Sequence, residues 1–287
     1  MSRIAYVNGR YRPHAAATVH IEDRGYQFGD GVYEVCEVRD GALIDETPHL
    51  ARLARSLAAL RIAAPISPAA LKLVIREIVA RNRLRDGLVY IQSTRGVAPR
   101  DHGFPGPNVG ASLVVTARAV DRSKGEARAS AGVRVVTLAD ERWRRPEIKS
   151  LQLLPNVLAK QAAREQGAYE AWLLDAAGNV TEGSSTNAWI VTQAGALVTR
   201  HADQAILRGV TRTTLLAFLA RDGLRIDERP FSIEEAHAAK EAFLTSAGNG
   251  IMPVVSIDGR PVADGRPGAL TLSLRQKFHT FAEVSPA

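Results

Sequence analysis

The stretch DRGYQFGDGVYEV occupies residues 23–35 and leads into a strand predicted over residues 32–39. Successive side chains of a strand point to opposite faces, so Tyr33 and Val35 share one face. Cys36 points to the other face, where a thiol is most simply a small core residue. The stretch therefore predicts a strand with one packed face and one face available for a site.

Outward from this stretch, the first half of the chain reads as strands with helices inserted between them. The turn pairs Asn8-Gly9 and Asp40-Gly41 predict hairpins. Leucines at helical spacing after Pro48 predict a helix with one buried face. The pattern predicts a first hairpin over residues 4–12, strands over 32–39, 42–44, 88–94 and 112–118, and helices from 47 and over 67–81.

The polar stretch DRSKGEARASA, which ends at Ala131, shows no periodicity and is the predicted linker. We therefore expect a small α+β domain over residues 1–119, a linker over 120–131 and a larger domain over 132–287. In the second half the pattern predicts strands over 133–138, 169–174, 187–191, 196–199 and 242–246, and helices over 154–166, from 209, over 233–239 and from 268.

The composition is that of a globular protein, with 287 residues of which 46% are hydrophobic and 23% charged. A single cysteine excludes an internal disulfide framework, and no apolar stretch has the length of a signal peptide or membrane span. We therefore expect a cytoplasmic protein without a membrane partner. The net charge of +7 is spread along the chain without a dense block, so we expect no nucleic-acid partner.

Isolated polar residues beside predicted strands are the candidates for chemistry. The sequence contains no P-loop, dinucleotide fingerprint, nucleophile elbow or metal-ligand cluster, so no metal site is predicted. Taken singly, Lys149 and Arg52 are most simply surface residues, Glu182 a loop carboxylate and Thr211 a helix-capping residue.

Taken together and in order, seven motifs resemble those of the fold-type IV pyridoxal-phosphate (PLP) enzymes, the family of D-amino acid and branched-chain aminotransferases. The motifs are DRGYQFGDGVYEV (23–35), HLARL (49–53), TRGVAPRDHGFP (94–105), IKSLQLLPNVLAK (148–160), VTEGSSTN (180–187), ILRGVTR (206–212) and TSAGNGIMPV (245–254). The resemblance covers essentially the whole chain. It implies a two-domain α+β fold, with PLP as the cofactor held mainly by the larger domain.

This resemblance implies that Lys149 forms a Schiff base with PLP and later moves the substrate proton. The role needs an amine that is neutral when it takes the proton, which burial and neighbouring positive charge favour. Glu182 is expected to face the pyridine nitrogen, where a carboxylate keeps the nitrogen protonated and makes the ring an electron sink.

The same resemblance assigns the other cofactor contacts. Arg52 would bind the phosphate through charge-assisted hydrogen bonds. The helix start at Val210 and Thr211 would offer N–H groups and a hydroxyl to that phosphate. The remaining expected contacts are Leu207 on one ring face, Ser184 and Ser185 on the other, and Ala247 and Gly248 at the phosphate.

Ala247-Gly248 departs from the family pattern, because this loop usually supplies hydroxyl side chains in the D-amino acid transaminases. Here only backbone N–H groups can serve. We therefore expect weaker cofactor retention, by about 1 kcal/mol for each lost hydrogen bond.

The substrate is indicated by PRDH, which contains Arg100 and His102. In the D-amino acid transaminases this pair and the strand tyrosine, here Tyr33, form a trap for the substrate α-carboxylate, and Val35 lines the same pocket. A guanidinium, an imidazole and a phenol can surround one carboxylate. In that family the loop reaches over from the neighbouring subunit, so a homodimer is expected.

The reaction expected is transamination of amino acids and 2-oxo acids, with D-alanine and 2-oxoglutarate giving pyruvate and D-glutamate. Three alternatives share the fold: a branched-chain L-aminotransferase, an (R)-amine transaminase and 4-amino-4-deoxychorismate lyase. The PRDH motif argues against all three, since their pockets treat the carboxylate differently. A non-enzymatic polyanion-binding protein would leave the ordered motifs unexplained.

Overall fold

A computed structural model describes residues 3–287, which divide into two compact units. The first unit contains the described residues up to Asp121, together with Ile148–Gln152 and Glu283–Ala287. The second unit contains Arg122–Glu147 and Leu153–Ala282. The chain therefore passes between the units more than once.

The first unit is built on an antiparallel sheet with the strand order β4-β3-β5-β6-β1-β2. Its hairpin turn at Asn8 and Gly9 has φ values of 44° and 88°, as a tight two-residue turn requires. Its elements are β1 (Ile4–Val7), β2 (Arg10–Pro13), α1 (Arg24–Phe28), β3 (Gly31–Arg39), β4 (Ala42–Ile44), α2 (Glu46–Ala59), α3 (Pro68–Arg81), β5 (Gly87–Thr94) and β6 (Ser112–Ala119).

Helices α2 and α3 bury their apolar faces in the core of this unit. Ser67 caps α3 by accepting a hydrogen bond from the Ala70 amide at 3.2 Å. Helix α2 buries Leu53 and Leu57, each worth about 1.5–3 kcal/mol on burial. It also buries a polar row, and this row positions part of the candidate site. The row consists of His49, Arg52 and Ser56.

The second unit is built on a mixed sheet with the strand order β12-β11-β10-β13-β14-β7-β8-β9, and β15 pairs with β14. Strand β8, which lies next to the edge strand β9, is buried along almost its whole length and pairs in parallel with β7, which suits its apolar sequence AWLL. The elements are α4 (Arg122–Ala131), β7 (Val133–Ala139), α5 (Leu154–Glu165), β8 (Glu170–Leu174), β9 (Val180–Gly183), β10 (Asn187–Val191), β11 (Leu197–Thr199), α6 (Val210–Arg221), β12 (Ile226–Glu228), α7 (Ile233–His237), β13 (Glu241–Ser246), β14 (Gly250–Ile257), β15 (Arg260–Pro261) and α8 (Ala269–Phe281).

A last strand, β16 (Val284–Pro286), belongs to the first unit and pairs antiparallel with β4. It completes a seven-stranded sheet.

The structure differs from the predicted organisation at the linker. Residues 122–131 of the stretch 120–131 form helix α4, which is grouped with the second unit. The helix is held by the burial of Ala129 and by an ion pair between Glu126 and Arg275, contacts that periodicity does not reveal. Residues 148–152 and 283–287 also lie in the first unit, although the predicted domain 132–287 included them. The boundaries of independently folding domains stay a prediction.

Helices that could serve as membrane spans are absent from residues 3–287, since none is both long and apolar enough.

Candidate active site

The segment that carries Lys149 runs alongside the start of β3. The Lys149 carbonyl accepts a hydrogen bond from the Tyr33 amide at 3.0 Å, and the Leu151 amide donates to the Gly31 carbonyl at 3.0 Å. On its other side the Lys149 amide donates to Ser56 Oγ of α2 at 3.3 Å. The backbone of Lys149 is therefore fixed from both sides within the first unit.

The side chain of Lys149 is half-buried, with Nζ 4.2 Å from the centre of the Tyr33 ring. This distance and placement are those of a cation–π contact. Among residues 3–287 no carboxylate forms a salt bridge with Lys149. The structure thus brings together Lys149 and Tyr33, two of the residues predicted for the site.

Arg52 is buried and paired with a carboxylate that the sequence analysis did not single out. Its Nε and Nη2 donate to the two oxygens of Glu34 at 2.6 and 2.9 Å, and His49 Nδ1 lies 2.8 Å from the same carboxylate. Burial alone would raise the pKa of Glu34, but the charge and hydrogen bonds of Arg52 and His49 lower it to about 2. Arg52 is thereby held in place as a charged group, and its role toward a phosphate stays a prediction.

Arg100 and His102 are brought together on an exposed loop of the first unit. The Arg100 guanidinium lies 4.7 Å from the centre of the Phe28 ring, and the His102 ring lies 5.5 Å from the same centre. Tyr33 and Val35 are half-buried on one face of β3, as predicted, and Tyr33 packs against Tyr90. Within one copy of the described chain, no contact joins Arg100 or His102 to Tyr33.

In the second unit, Glu182 is buried on β9 with three donors around its carboxylate. Oε1 accepts from Arg142 Nη1 and from the Leu207 amide, the latter at 3.0 Å, and Oε2 accepts from Asn187 Nδ2 at 2.8 Å. Arg142 is itself fixed by Asp140, to which Nε and Nη2 donate at 2.9 and 2.7 Å. Burial alone would lower the pKa of Arg142, but hydrogen bonds to Asp140 and the charge of Glu182 raise it. A cation therefore stays beside Glu182.

Asn187 connects the predicted ring contacts to one another. Its Nδ2 donates to the Leu207 carbonyl at 3.0 Å as well as to Glu182. A side chain on Gly209 would bring its Cβ to 2.0 Å from Asn187 Oδ1, so only glycine fits there. Leu207 is half-buried. Its amide donates to the Glu182 carboxylate and its carbonyl accepts from the Asn187 side chain, so its backbone is fixed at both groups.

Ser184 and Ser185 both donate their hydroxyl hydrogens to Glu170, a fully buried carboxylate of β8. Ser184 Oγ contacts Glu170 Oε1, and Ser185 Oγ donates to Oε2 at 2.7 Å. Lys160 Nζ lies 3.3 Å from Oε1 and supplies a compensating charge. The serines keep acceptor lone pairs, but their hydroxyls are oriented by Glu170.

Helix α6 begins at Val210, directly after Gly209, and among residues 3–287 no side-chain hydrogen bond caps its first turn. Its first N–H groups are therefore available to an acceptor from outside the helix, and the helix dipole favours an anion there. Val210 and Thr211 are buried at this end, with exposures of 5% and 4%. The geometry suits the predicted phosphate contact, which stays a prediction.

Ala247 and Gly248 form the half-buried turn between β13 and β14. The turn is held from outside by Arg275 of α8, whose Nη1 donates to the carbonyls of Asn249 and Ile251 at 2.7 and 2.6 Å. The backbone of this turn is fixed although its two central side chains carry no hydroxyl. Weaker cofactor retention stays a prediction.

The sequence analysis missed four polar residues that hold predicted ones: Glu34, Arg142, Glu170 and Asn187. Two of them broke a visible pattern. Glu34 lies on the core face of β3 between Val32 and Cys36, and Glu170 begins a buried strand. A charge at a position that periodicity assigns to a core marks a buried partner. Asn187 is the last residue of the motif VTEGSSTN, but the sequence analysis gave it no role. Nothing in the sequence around Arg142 indicated that it contacts Glu182.

Comparison with known proteins identifies the family. The family described as class IV amino-transferases has a sequence model that matches residues 31–257. The chain belongs to the class IV aminotransferases. Among curated members, the D-alanine aminotransferase of Bacillus licheniformis is 41% identical over 268 residues, which is 93% of each chain. That of Staphylococcus haemolyticus is 37% identical over 278 residues, or 97% of each chain.

Solved structures agree on the fold of this class IV aminotransferase. A branched-chain amino acid aminotransferase solved with pyridoxamine 5'-phosphate has a TM-score of 0.90 and 26% identity, covering 97% of this chain and 93% of that chain. The branched-chain aminotransferase of Thermoproteus uzoniensis, solved with norvaline, has a TM-score of 0.85 and 25% identity, covering 99% of each chain. The predicted α+β fold class, family and aminotransferase activity are confirmed.

Proposed function

We propose that the protein is a PLP-dependent D-amino acid aminotransferase that converts D-alanine and 2-oxoglutarate to pyruvate and D-glutamate. One observation carries the reaction type: Lys149 is half-buried, fixed through its backbone, and has no salt bridge to a carboxylate among the described residues. The substrate class is supported by relatives named D-alanine aminotransferase, at 37–41% identity over nearly the whole chain.

The residues present fit PLP. An unpaired lysine suits the carbonyl of the cofactor, an uncapped helix start at Val210 suits its phosphate, and Glu182 beside Arg142 suits a protonated ring nitrogen. When bound, the cofactor supplies an electron sink that stabilises negative charge at the substrate Cα. Further contacts are proposed from Arg52, Thr211, Ala247 and Gly248 to the phosphate and from Leu207, Ser184 and Ser185 to the ring.

Proton transfer is the role we propose for Lys149. With the cofactor bound, the neutral amine of Lys149 would act as the base that takes the proton from the substrate Cα. Tyr33 packs against this amine and limits where it moves. Glu182 holds the proton at the ring nitrogen, and the fixed donors Arg142 and Asn187 orient it.

Arg100 and His102 are proposed to bind the substrate α-carboxylate, with Tyr33 and Val35 lining the pocket. Both cationic candidates are exposed and lie away from Tyr33 in their own copy of the chain, which supports their serving a second copy in a homodimer. Exposed leucines and valine on α5 support a second copy as well: Leu154, Val157 and Leu158 are 58–68% exposed. A cytoplasmic location is proposed from the single, buried cysteine.

The visible absorption of the purified protein with PLP tests the proposal. A band of bound cofactor should bleach on addition of D-alanine and not on addition of L-leucine. Bleaching by L-leucine alone would move the protein to the branched-chain L-aminotransferases, the second candidate, which the structural neighbours favour. Absence of the band would reject Lys149 as the cofactor lysine.

The carboxylate assignment is tested by Arg100→Ala beside Arg10→Ala, a control that removes an exposed arginine on β2. We expect KM for D-alanine to rise about tenfold or more in the first variant, since a charge-assisted contact is lost. The cofactor band should persist in both. Equal KM values in the two variants would reject the carboxylate role of Arg100.

A further inference from the structure

The loop of residues 95–111 between β5 and β6 carries Arg100 and His102 and has no regular structure. Its base is closed tightly: Gly96 has a φ of +102°, and a Cβ there would lie 2.1 Å from the Gly110 carbonyl oxygen. The tip is exposed, so the positions of Arg100 and His102 depend on contacts made from elsewhere in the first unit.

Asp30, between α1 and β3, receives three hydrogen bonds from two guanidinium groups. Arg24 Nε and Arg95 Nε donate to Oδ2 at 2.8 Å each, and Arg95 Nη2 donates to Oδ1 at 2.9 Å. The three side chains are 14%, 4% and 10% exposed for Asp30, Arg24 and Arg95. Burial alone would raise the pKa of Asp30, but the hydrogen bonds and charges of Arg95 and Arg24 lower it. An ionised carboxylate thus holds two cations together that would otherwise repel each other.

Arg24 reaches from Asp30 to the loop tip. Its Nη1 donates to the Asp101 carbonyl at 2.6 Å and its Nη2 lies 3.5 Å from the His102 carbonyl. The Arg24 guanidinium also lies 4.8 Å from the centre of the Phe28 ring, which contacts Arg100 and His102. Arg24 therefore contacts both the backbone between Arg100 and His102 and the Phe28 ring that those two side chains contact.

Arg95 reaches from Asp30 in the other direction. Its Nη1 and Nη2 donate to the carbonyls of Arg61 and Leu60, just beyond α2, at 3.0 and 2.9 Å. Its guanidinium lies 3.7 Å from the centre of the Phe104 ring, on the far side of the loop tip. Asp30 thus binds both the arginine that contacts the segment after α2 and the arginine that contacts the loop tip.

We propose that Asp30 is a positioning residue for the substrate-carboxylate site, acting through Arg24 and Arg95 to set where the loop presents Arg100 and His102. This inference rests on the carboxylate role proposed for Arg100 and His102. It makes recognition of the substrate depend on an ion cluster formed by residues other than those proposed to bind the substrate carboxylate.

A double-mutant cycle in the holoenzyme tests the inference. Asp30→Asn keeps the size of the side chain and removes its charge; Glu77→Gln on α3 makes the same charge change at an exposed ion pair. We expect KM for D-alanine to rise about tenfold in Asp30→Asn, with a smaller change in kcat, and to stay unchanged in Glu77→Gln. The double variant Asp30→Asn/Arg100→Ala should have the KM of Arg100→Ala alone, because both changes act through one interaction.

A measurement made without substrate distinguishes the positioning role of Asp30 from the carboxylate role of Arg100. Hydrogen exchange of the peptide 95–104, which includes the Ala98 amide bonded to the Glu22 carbonyl at 3.2 Å, should become faster in Asp30→Asn and not in Glu77→Gln. Arg24→Lys keeps the charge but cannot contact Asp30 and the Asp101 carbonyl together, so it should reproduce both effects even if Asp30→Asn folds poorly.

Unchanged exchange in both Asp30→Asn and Arg24→Lys would overturn the inference, as would KM effects of Asp30→Asn and Arg100→Ala that multiply in the double variant. If exchange rises while Arg100→Ala leaves KM unaltered, the positioning of the loop stands and the carboxylate role of Arg100 fails.

Discussion

Two buried carboxylates, Glu34 in the first unit and Glu182 in the second, are each held by an arginine, yet their surroundings differ. Glu34 receives two hydrogen bonds from Arg52, a contact from His49 and one bond from a neutral donor, the Val35 amide at 3.3 Å, so most of its contacts come from side chains that carry or can carry a charge. Glu182 receives one bond from Arg142 and others from the neutral donors Asn187 and the Leu207 amide. Arg142 is in addition paired with Asp140.

From this difference we expect Glu34 to maintain structure and Glu182 to serve the proposed reaction. Removing Glu34 leaves a buried guanidinium without the carboxylate that accepts two of its hydrogen bonds, which is costly. Removing the charge of Glu182 leaves Arg142 with Asp140. We therefore expect the first loss to appear in stability and the second in activity.

The largest expected effect is on the stability of Glu34→Gln. Because Arg52 stays buried and charged, the free energy of unfolding at pH 7 should fall by about 3 kcal/mol, measured by urea denaturation. Glu37→Gln, on the opposite face of β3, is the matched control and should change stability by under about 1 kcal/mol. If the two variants lost equal unfolding free energy, Glu34 would contribute no more to stability than the carboxylate of Glu37 on the same strand.

A somewhat smaller effect is expected on the activity of Glu182→Gln. The neutral amide no longer holds a proton on the ring nitrogen, so kcat for D-alanine should fall by about 100-fold. The unfolding free energy should fall by only about 1 kcal/mol, since Arg142 keeps its second partner. Glu165→Gln, an exposed position on α5, should change neither quantity. A stability loss as large as that of Glu34→Gln would contradict the comparison.

An effect smaller than that of Glu182→Gln is expected on the activity of Arg142→Lys. A lysine supplies a charge but cannot bridge Asp140 and Glu182 through a planar fork, so Glu182 loses orientation rather than ionisation. We expect kcat to fall about tenfold and the visible band of bound PLP to shift, while the urea midpoint stays near that of the unmodified protein. A loss of stability without spectral change would indicate that Arg142 only supports the fold.

The smallest effect is expected from pH. The pKa of Glu34 is about 2 in the folded protein against a usual 4.5, so its stabilisation is fully present above pH 4.5 and is lost as pH falls towards 2. The difference in melting temperature between the unmodified protein and Glu34→Gln should therefore narrow between pH 5 and pH 3. A difference that stays constant over this range would show that folding does not lower the pKa of Glu34.

Much of the fold could be predicted from local pattern, because its helices and strands are long and periodic. The leucine face of α2, the helix predicted over residues 67–81 and the strand of residues 32–39 appear in the structure within a residue or two. Helix α4 and strand β16 were missed because their stability comes from distant partners, Arg275 for the one and β4 for the other.

The candidate site was predictable only in part, for a related reason. Lys149, Glu182 and Thr211 lie in motifs that a single stretch of sequence displays. The groups that hold them, such as Arg142 and Glu170, are distant along the chain, and a hydrogen bond between distant residues leaves no local trace. Asp30 lies in the motif DRGYQFGDGVYEV, but its partner Arg95 follows the end of β5, far along the chain.

Residues 148–152 and 284–286 are short pieces of the first unit that lie later in the chain than the start of the second unit. During synthesis, the Tyr33 amide and Ser56 Oγ lack their hydrogen-bond partner until residue 149 has been added. The edge of β4 likewise stays unpaired until residues 284–286 have been added. Truncation before Val284 should for this reason impair the unit that is synthesised first, and an exposed β4 edge would favour aggregation. The unit that carries Lys149 is thus completed only after the residues of the second unit have been synthesised.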